Sequence, residues 1–128
     1  MRLKYLEIKD ILSIESLTLK FSGNGLVLID GWNYDDDTAN GAGKTAIWNA
    51  LSFGLYDRLP RKINKTEVVR RGQKKGYVRV VLDSNNNSID ITRSRPKKEV
   101  FLVNGNEIQD QEGLEKKIGL TYNQFLMC

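Results

Sequence analysis

Several stretches of the chain alternate polar and apolar residues with a period of two, and a helical period first interrupts them after the apolar run Leu26 to Asp30. Arg2 to Ile8 alternates, with Lys4, Leu6 and Ile8 on one face and Leu3 and Tyr5 on the other. From Ile14 to Phe21, Leu17, Leu19 and Phe21 share a face while Ser16, Thr18 and Lys20 point outward, which predicts a strand with one wet side. Gly23-Asn24-Gly25 reads as a turn. Leu26 to Asp30 is apolar on both faces, the pattern of a central buried strand. The period then becomes helical from Ala46 to Leu55. Ile47, Leu51 and Leu55 form a stripe with Ala46, Ala50 and Phe53 beside it, and Gly54 and Pro60 signal the end. Asp57 to Lys75 is polar and basic and predicts a loop with one short ordered piece near Val68-Val69. Alternation returns at Tyr77 to Leu82, with Val78, Val80 and Leu82 together, and again at Ile89 and Ile91 and at Val100 to Val103. Asn85-Asn86-Asn87 and the lysines around Pro96 are turns. Asn104-Gly105 is the strongest hairpin signal, returning through Glu107-Ile108, since both positions tolerate positive φ. Leu114 and Ile118 mark a short helix closed by Gly119. Thr121 to Gln124 is a capping box opening a helix led by Phe125, Leu126 and Met127.

The break in period falls on Asn40-Gly41-Ala42-Gly43-Lys44-Thr45, between the apolar run Leu26 to Ile29 and the helix. Strand, glycine-rich turn, Lys-Thr and helix is the setting of a phosphate-binding loop. Glycines let successive backbone N–H groups converge on one anion, and the helix N-terminus adds partial positive charge. Lys44 is the candidate catalytic residue, a point charge reaching the β- and γ-phosphates. Thr45 is the candidate Mg²⁺ ligand through its hydroxyl. Asn40 to Ala46 form the candidate nucleotide-binding set, together with Thr38, which stands where the general pattern has glycine. Gly31 is the candidate displaced glycine, which makes Trp32 to Ala39 a longer loop carrying Asp35, Asp36 and Asp37. Three aspartates beside a triphosphate repel it unless they face away or bind a cation. They are read as a solvated loop pointing outward.

Composition narrows the chemistry. The 128 residues suffice for one domain with a modest core, and 40% hydrophobic with 28% charged residues reads as soluble and globular. No apolar run approaches the roughly 20 residues that span a bilayer. The start, Met1 to Tyr5, is charged and alternating, a strand rather than a signal peptide. Histidine is absent, which excludes a His-based triad, metal site or general base within the chain. The lone Cys128 leaves no internal disulfide and fits a reducing cytoplasm. A net charge of +4 permits a basic partner surface without demanding one.

Several stretches together resemble the SbcC-type and SMC-type (Rad-fifty-like) ATPases. Leu6-Glu7-Ile8-Lys9-Asp10-Ile11 with Ser13 looks like their opening strand, and Phe21 with Leu26 to Ile29 like the entry to their phosphate loop. Ile47 to Leu51 with Gly54-Leu55-Tyr56 is similar to the following helix. Val69-Arg70-Arg71-Gly72 resembles a piece flanking the nucleotide, and Gly119 to Phe125 the lead-in to the Q-loop. The likeness covers essentially residues 1–128. It implies an α/β fold, the ABC-ATPase-type P-loop NTPase half-domain, with an antiparallel β layer flanking the P-loop strand and helix. It implies an N-terminal lobe that is incomplete without its C-terminal lobe, the carrier of the acidic Walker B strand and the signature motif. Two heads would sandwich ATP and Mg²⁺ as a homodimer, and an SbcD-type nuclease would act on double-stranded DNA ends, with no membrane involved. A phage recombination subunit is the specific expectation.

The chain also departs from that pattern: the arginine expected around Leu12 is absent. Arg70 and Arg71 are candidate nucleotide contacts by charge. The basic run Arg58 to Lys75 has two readings, DNA phosphate contact or a solvated loop, and its lack of aromatics gives little support to strand readout. Trp32 and Trp48 are read as packing residues. Glu7, Asp10 and Asp30 are read as surface or strand-end charges rather than a metal cluster. Besides the SbcC-type ATPase, two readings stay open: an SMC- or RecN-like ATP-gated DNA clamp without a nuclease, and an ATP-binding module that does not hydrolyse.

Overall fold

The computed structural model describes residues 2–22, 25–34, 42–59 and 67–126, with side chains placed at 2–21, 46–59 and 67–126. Seven strands form one antiparallel sheet: β1 (Arg2–Ile11), β2 (Ile14–Ser22), β3 (Gly25–Tyr34), β4 (Gly76–Ser84), β5 (Asn87–Arg95), β6 (Lys98–Val103) and β7 (Asn106–Ile108). Their order is β3-β2-β1-β4-β5-β6-β7. The strands before and after the central helix therefore merge into one sheet at the β1–β4 seam, where Leu6 pairs with Val80 and Ile8 with Val78. Helix α1 (Ala42–Tyr56) lies across this sheet, and α2 (Gln111–Ile118) and α3 (Tyr122–Leu126) follow the last hairpin.

Alternation decides which face receives the helices. Leu6, Ile8, Leu17, Val78, Val80, Leu82, Ile89 and Ile91 are each at most 1% exposed and pack with Ala50, Phe53 and Leu55 of α1. Two of the tight hairpins, β4–β5 and β6–β7, use left-handed residues at both loop positions, Asn85-Asn86 (φ 52 and 64) and Asn104-Gly105 (φ 52 and 83), a geometry that matches strand twist in a two-residue loop. Asp110 caps α2 through Gly113 N, and Gly119 closes it at φ 74. The capping box of α3 is formed both ways: Gln124 N donates to Thr121 Oγ1 at 3.1 Å, and Thr121 N donates to Gln124 Oε1 at 2.9 Å.

Four expectations are corrected. Trp32, Asn33 and Tyr34 are not part of a loop: β3 runs through Tyr34, with Asn33 paired to Ser16 and Tyr34 to Ile14. Lys4 does not share the face of Leu6 and Ile8. The β1–β4 ladder shifts register between Leu3 and Tyr5, and Lys4 points to solvent, where it pairs with Asp83 at 3.1 Å. Gly54 does not end α1, which continues to Tyr56. It lies where the helix touches β4: a Cβ there would stand 2.8 Å from Val78 Cγ1 and 3.2 Å from Val80 Cγ2. The helix ends at Asp57, left-handed at φ 57, whose N–H donates to Phe53 O at 2.9 Å. Finally, Leu26 to Asp30 is not central in this sheet. β3 is its end strand, paired with β2. A doubly apolar pattern reports what covers a strand's faces, not whether both its edges are paired.

Candidate functional site

β3 ends at Tyr34 and α1 begins at Ala42, so Gly43, Lys44 and Thr45 form the first helical turn, directly after the glycine-rich segment. The N–H groups of a first turn have no intrahelical acceptor and face outward along the axis, which is what an anion needs. Thr38, Asn40 and Gly41 lie outside the described residues, as do the side chains of Lys44 and Thr45 and the loop aspartates Asp35, Asp36 and Asp37. Ala46, the first residue of α1 whose side chain is described, is buried, 6% exposed. What it can offer a nucleotide is its backbone amide.

Pairing across the strands shows what lies beside the exit from β3. Tyr34 pairs with Ile14, Ile14 with Ile11, and Ile11 forms an isolated bridge with Val69. The ordered piece at Val68-Val69 is thus stitched to the same end of the sheet. Leu12 N donates to Val68 O at 2.7 Å and Arg70 N to Asp10 O at 2.8 Å. Val68 is fully buried. Arg70 Nε donates to Asp10 Oδ1 at 3.0 Å, with both side chains largely enclosed, while Arg71 is exposed. Arg70 is therefore a paired cation at the end of the sheet where β3 stops, just before the glycine-rich segment. A guanidinium held this way is pre-aligned.

The other charged candidates separate. Glu7 is more than a surface charge: its carboxylate accepts from Tyr5 Oη at 2.6 Å and from Tyr77 Oη. Burial, reinforced by that bond and by the charge of Glu7, pushes Tyr77 up to about 12. Among the described residues, no three Asp, Glu, Cys or His side chains form a metal-holding group. Within the basic run, Arg58 is exposed and its guanidinium lies 5.2 Å from the Tyr122 ring centre. Lys74 and Lys75 are solvated, and Arg61, Lys62 and Lys65 lie outside the described residues. Trp48 packs, as expected, stacked on Phe125 with centroids 4.4 Å apart and planes 5° apart. The side chains of Trp32 and Asp30, and Cys128, lie outside the described residues.

Sequence reasoning missed Arg93. It is fully buried beneath α1. Its Nε donates to Gly54 O at 3.2 Å, its Nη2 to Gln111 Oε1 at 2.6 Å, and its Nη1 to Glu99. Gln111 Nε2 donates in turn to Leu55 O at 2.9 Å. Burial and the neighbouring Arg95 push Arg93 down to about 10, against the pull of Asp57 and Glu115, so it stays charged at neutral pH. The available signal was its phase: position 93 continues the inward series of Ile89 and Ile91, so a charge there called for a partner.

Comparison with known proteins agrees with this layout. A family described as "AAA domain" matches residues 5–126. A DNA double-strand break repair Rad50 ATPase of Sulfolobus acidocaldarius is 33% identical over 95 residues, 73% of this chain and 10% of that protein. The chain thus spans about a tenth of the length of the curated relative it matches. A structure described as concerning ATP-driven dimerization and DNA-stimulated activation of SMC ATPases superposes with a TM-score of 0.60 at 19% identity, over 93% of this chain and 78% of the other. The recombination mediator RecF with ATP gives 0.59 at 19% identity, over 88% and 30%. The SMC head domain of Thermotoga maritima gives 0.53 at 18% identity, over 91% and 41%. At these identities the structures attest to the fold alone. Among the described residues no helix is long and apolar enough to cross a membrane.

Proposed function

We propose, from the premise that the chain belongs to this AAA domain family and is an SMC- and Rad50-like ATPase lobe, that it is the ATP-holding half of an SbcC-type head that acts with an SbcD-type nuclease on double-stranded DNA ends. The observation that carries this is the join of β3 to α1. The glycine-rich segment, with Gly43-Lys44-Thr45 as the first helical turn, is set on an antiparallel sheet of the SMC and RecF kind. In this reading Asn40 to Ala46 cradle the phosphates through their N–H groups, with Thr38 at the margin. Lys44 neutralises the charge that builds on the β- and γ-phosphates, and Arg70 and Arg71 approach the nucleotide from the bridged segment. Bound Mg²⁺, held by the Thr45 hydroxyl, would neutralise phosphate oxygens. Asp35, Asp36 and Asp37 stay outside this site.

The acidic group that positions water belongs to the C-terminal lobe in this reading. Residues 1–128 alone would then bind but not turn over ATP, and a second head would complete the sandwich in the cytoplasm. The likeness to SMC heads favours one other reading, an ATP-gated DNA clamp without a nuclease. The test is equilibrium binding of Mg·ATP to the protein carrying this lobe and to its Lys44→Ala variant. Affinity is expected to collapse while the unfolding midpoint barely moves. Undiminished ATP binding by Lys44→Ala would sink the phosphate-loop reading. Nuclease co-purification separates the end-processing role from the clamp.

A further inference from the structure

We propose that Arg93 and Gln111 are positioning residues for the phosphate loop, acting at the opposite end of α1 from the nucleotide. The inference rests on the phosphate-loop reading above. The last carbonyls of a helix have no helical donor. Here Phe53 O is taken by Asp57 N, and the next two are taken by side chains from outside the helix. Gly54 O accepts from Arg93 Nε on β5, and Leu55 O accepts from Gln111 Nε2 at the start of α2. The two side chains are one unit, since Arg93 Nη2 donates to Gln111 Oε1 at 2.6 Å. Glu99 of β6 accepts from Arg93 Nη1, and the guanidinium lies 5.1 Å from the Phe101 ring centre. Arg95 pairs with Asp57, the residue that closes the helix.

Stability alone does not account for this arrangement. An apolar residue at position 93, in phase with Ile89 and Ile91, would fill the inward face without desolvating a charge. What a guanidinium supplies is direction: its rigid planar fork fixes one carbonyl of α1 relative to β5, β6 and α2 at once. Its positive charge also complements the negative end of the helix dipole. A helix of 15 residues moves as a body, so its C-terminal register sets where its first turn stands, about 20 Å away. Phosphate-cradling geometry tolerates displacements well under 1 Å before affinity and rate suffer. Gly54 completes the device, because a side chain there would lift α1 off Val78 and Val80.

The test compares binding of a fluorescent ATP analogue with Mg²⁺ by the protein carrying this lobe and by Arg93→Met, Gln111→Leu, Val103→Ala and Lys44→Ala variants. Unfolding midpoints and amide exchange across residues 46–50 are measured alongside, without nucleotide. Val103, buried at the other end of the β5–β6 ladder, reports what lost core packing does by itself. Arg93→Met and Gln111→Leu are expected to weaken binding about tenfold and to speed exchange in α1. Val103→Ala is expected to lower the midpoint and leave affinity in place. Should Arg93→Met fail to fold, Gln111→Leu decides, since it keeps the buried charge and its Glu99 partner. If both network variants bind like the parent while Lys44→Ala loses binding, the inference is wrong and the phosphate loop stands. If Lys44→Ala also binds like the parent, both readings fall. Equal loss of affinity in Val103→Ala would reduce the network to ordinary packing and overturn the proposal.

Discussion

Each face of the sheet carries an arginine beside a carboxylate, and the two pairs sit in different media. On the open face Arg79 meets Asp90 in a two-point contact, Nη2 at 2.8 Å and Nε at 3.2 Å, with 43% of the arginine side chain exposed. On the covered face Arg93 meets Glu99 with 1% of its side chain exposed. Water screens the first pair, so either partner can be lost cheaply. The second has given up its hydration, so losing one member strands a charge under the helix. Chemically alike contacts are thus optional on one side of a strand and compulsory on the other, and the inward phase of the strand decides which.

The comparison breaks most visibly at Arg93. Arg93→Met is expected to cost about 3 kcal/mol, near the lower end for a broken buried pair because Glu99 keeps some water. The Arg93→Met/Glu99→Leu double variant is expected to recover part of that loss. Urea unfolding of both variants measures it, and a cost no larger than that of Arg79→Ala would erase the distinction between the faces. Gly54→Ala comes next. Its Cβ must displace a γ-methyl of Val78, a residue with no exposure, at about 1–3 kcal/mol, against which better helix propensity returns up to about 1. A net loss of about 1–2 kcal/mol is expected in thermal unfolding, whereas an unchanged midpoint would mean that α1 rides higher on β4 than described.

The smallest effect belongs to the open face. Tyr77 is held protonated up to about 12, and its ordinary value is about 10. The folded state therefore keeps a proton that the unfolded chain releases first. The resulting stabilisation is complete below about pH 10 and is lost as pH rises through about 12. Ultraviolet titration should show a late phenol among the five tyrosines, missing in Tyr77→Phe. Uniform ionisation near 10 would dissolve the Glu7 network.

Much of this was legible in the order of residues because local rules carried it. Val78, Val80 and Leu82 declare an inward face by period alone, Asn104-Gly105 fits the one turn its φ values allow, and Thr121 with Gln124 forms its capping box from four consecutive residues. The failures share a different cause. Lys4 turned outward because a bulge arises between two strands, neither of which records it. Gly54 looked like a stop because its partners Val78 and Val80 come later in the chain. Arg93 went unnoticed as a site because its partners come from three elements, α1, β6 and α2. The candidate phosphate loop could be proposed from its own residues, Gly41 to Thr45. The apparatus that steadies the helix behind it had to be seen.

The β1–β4 seam sets an order of events in time. Lys9 pairs with Tyr77, across β2, β3, the glycine-rich segment and α1, whereas β4 to β7 are joined by short turns and can zip locally. Synthesis delivers β1 first and its second neighbour only after β2, β3, the glycine-rich segment and α1 have emerged. Until then one side of β1 presents unpaired backbone, the kind of edge that recruits strands from other chains. Growing from the ribosome, the lobe is therefore most exposed to misassembly while α1 is already made and β4 is not, which is the interval in which a chaperone would matter most.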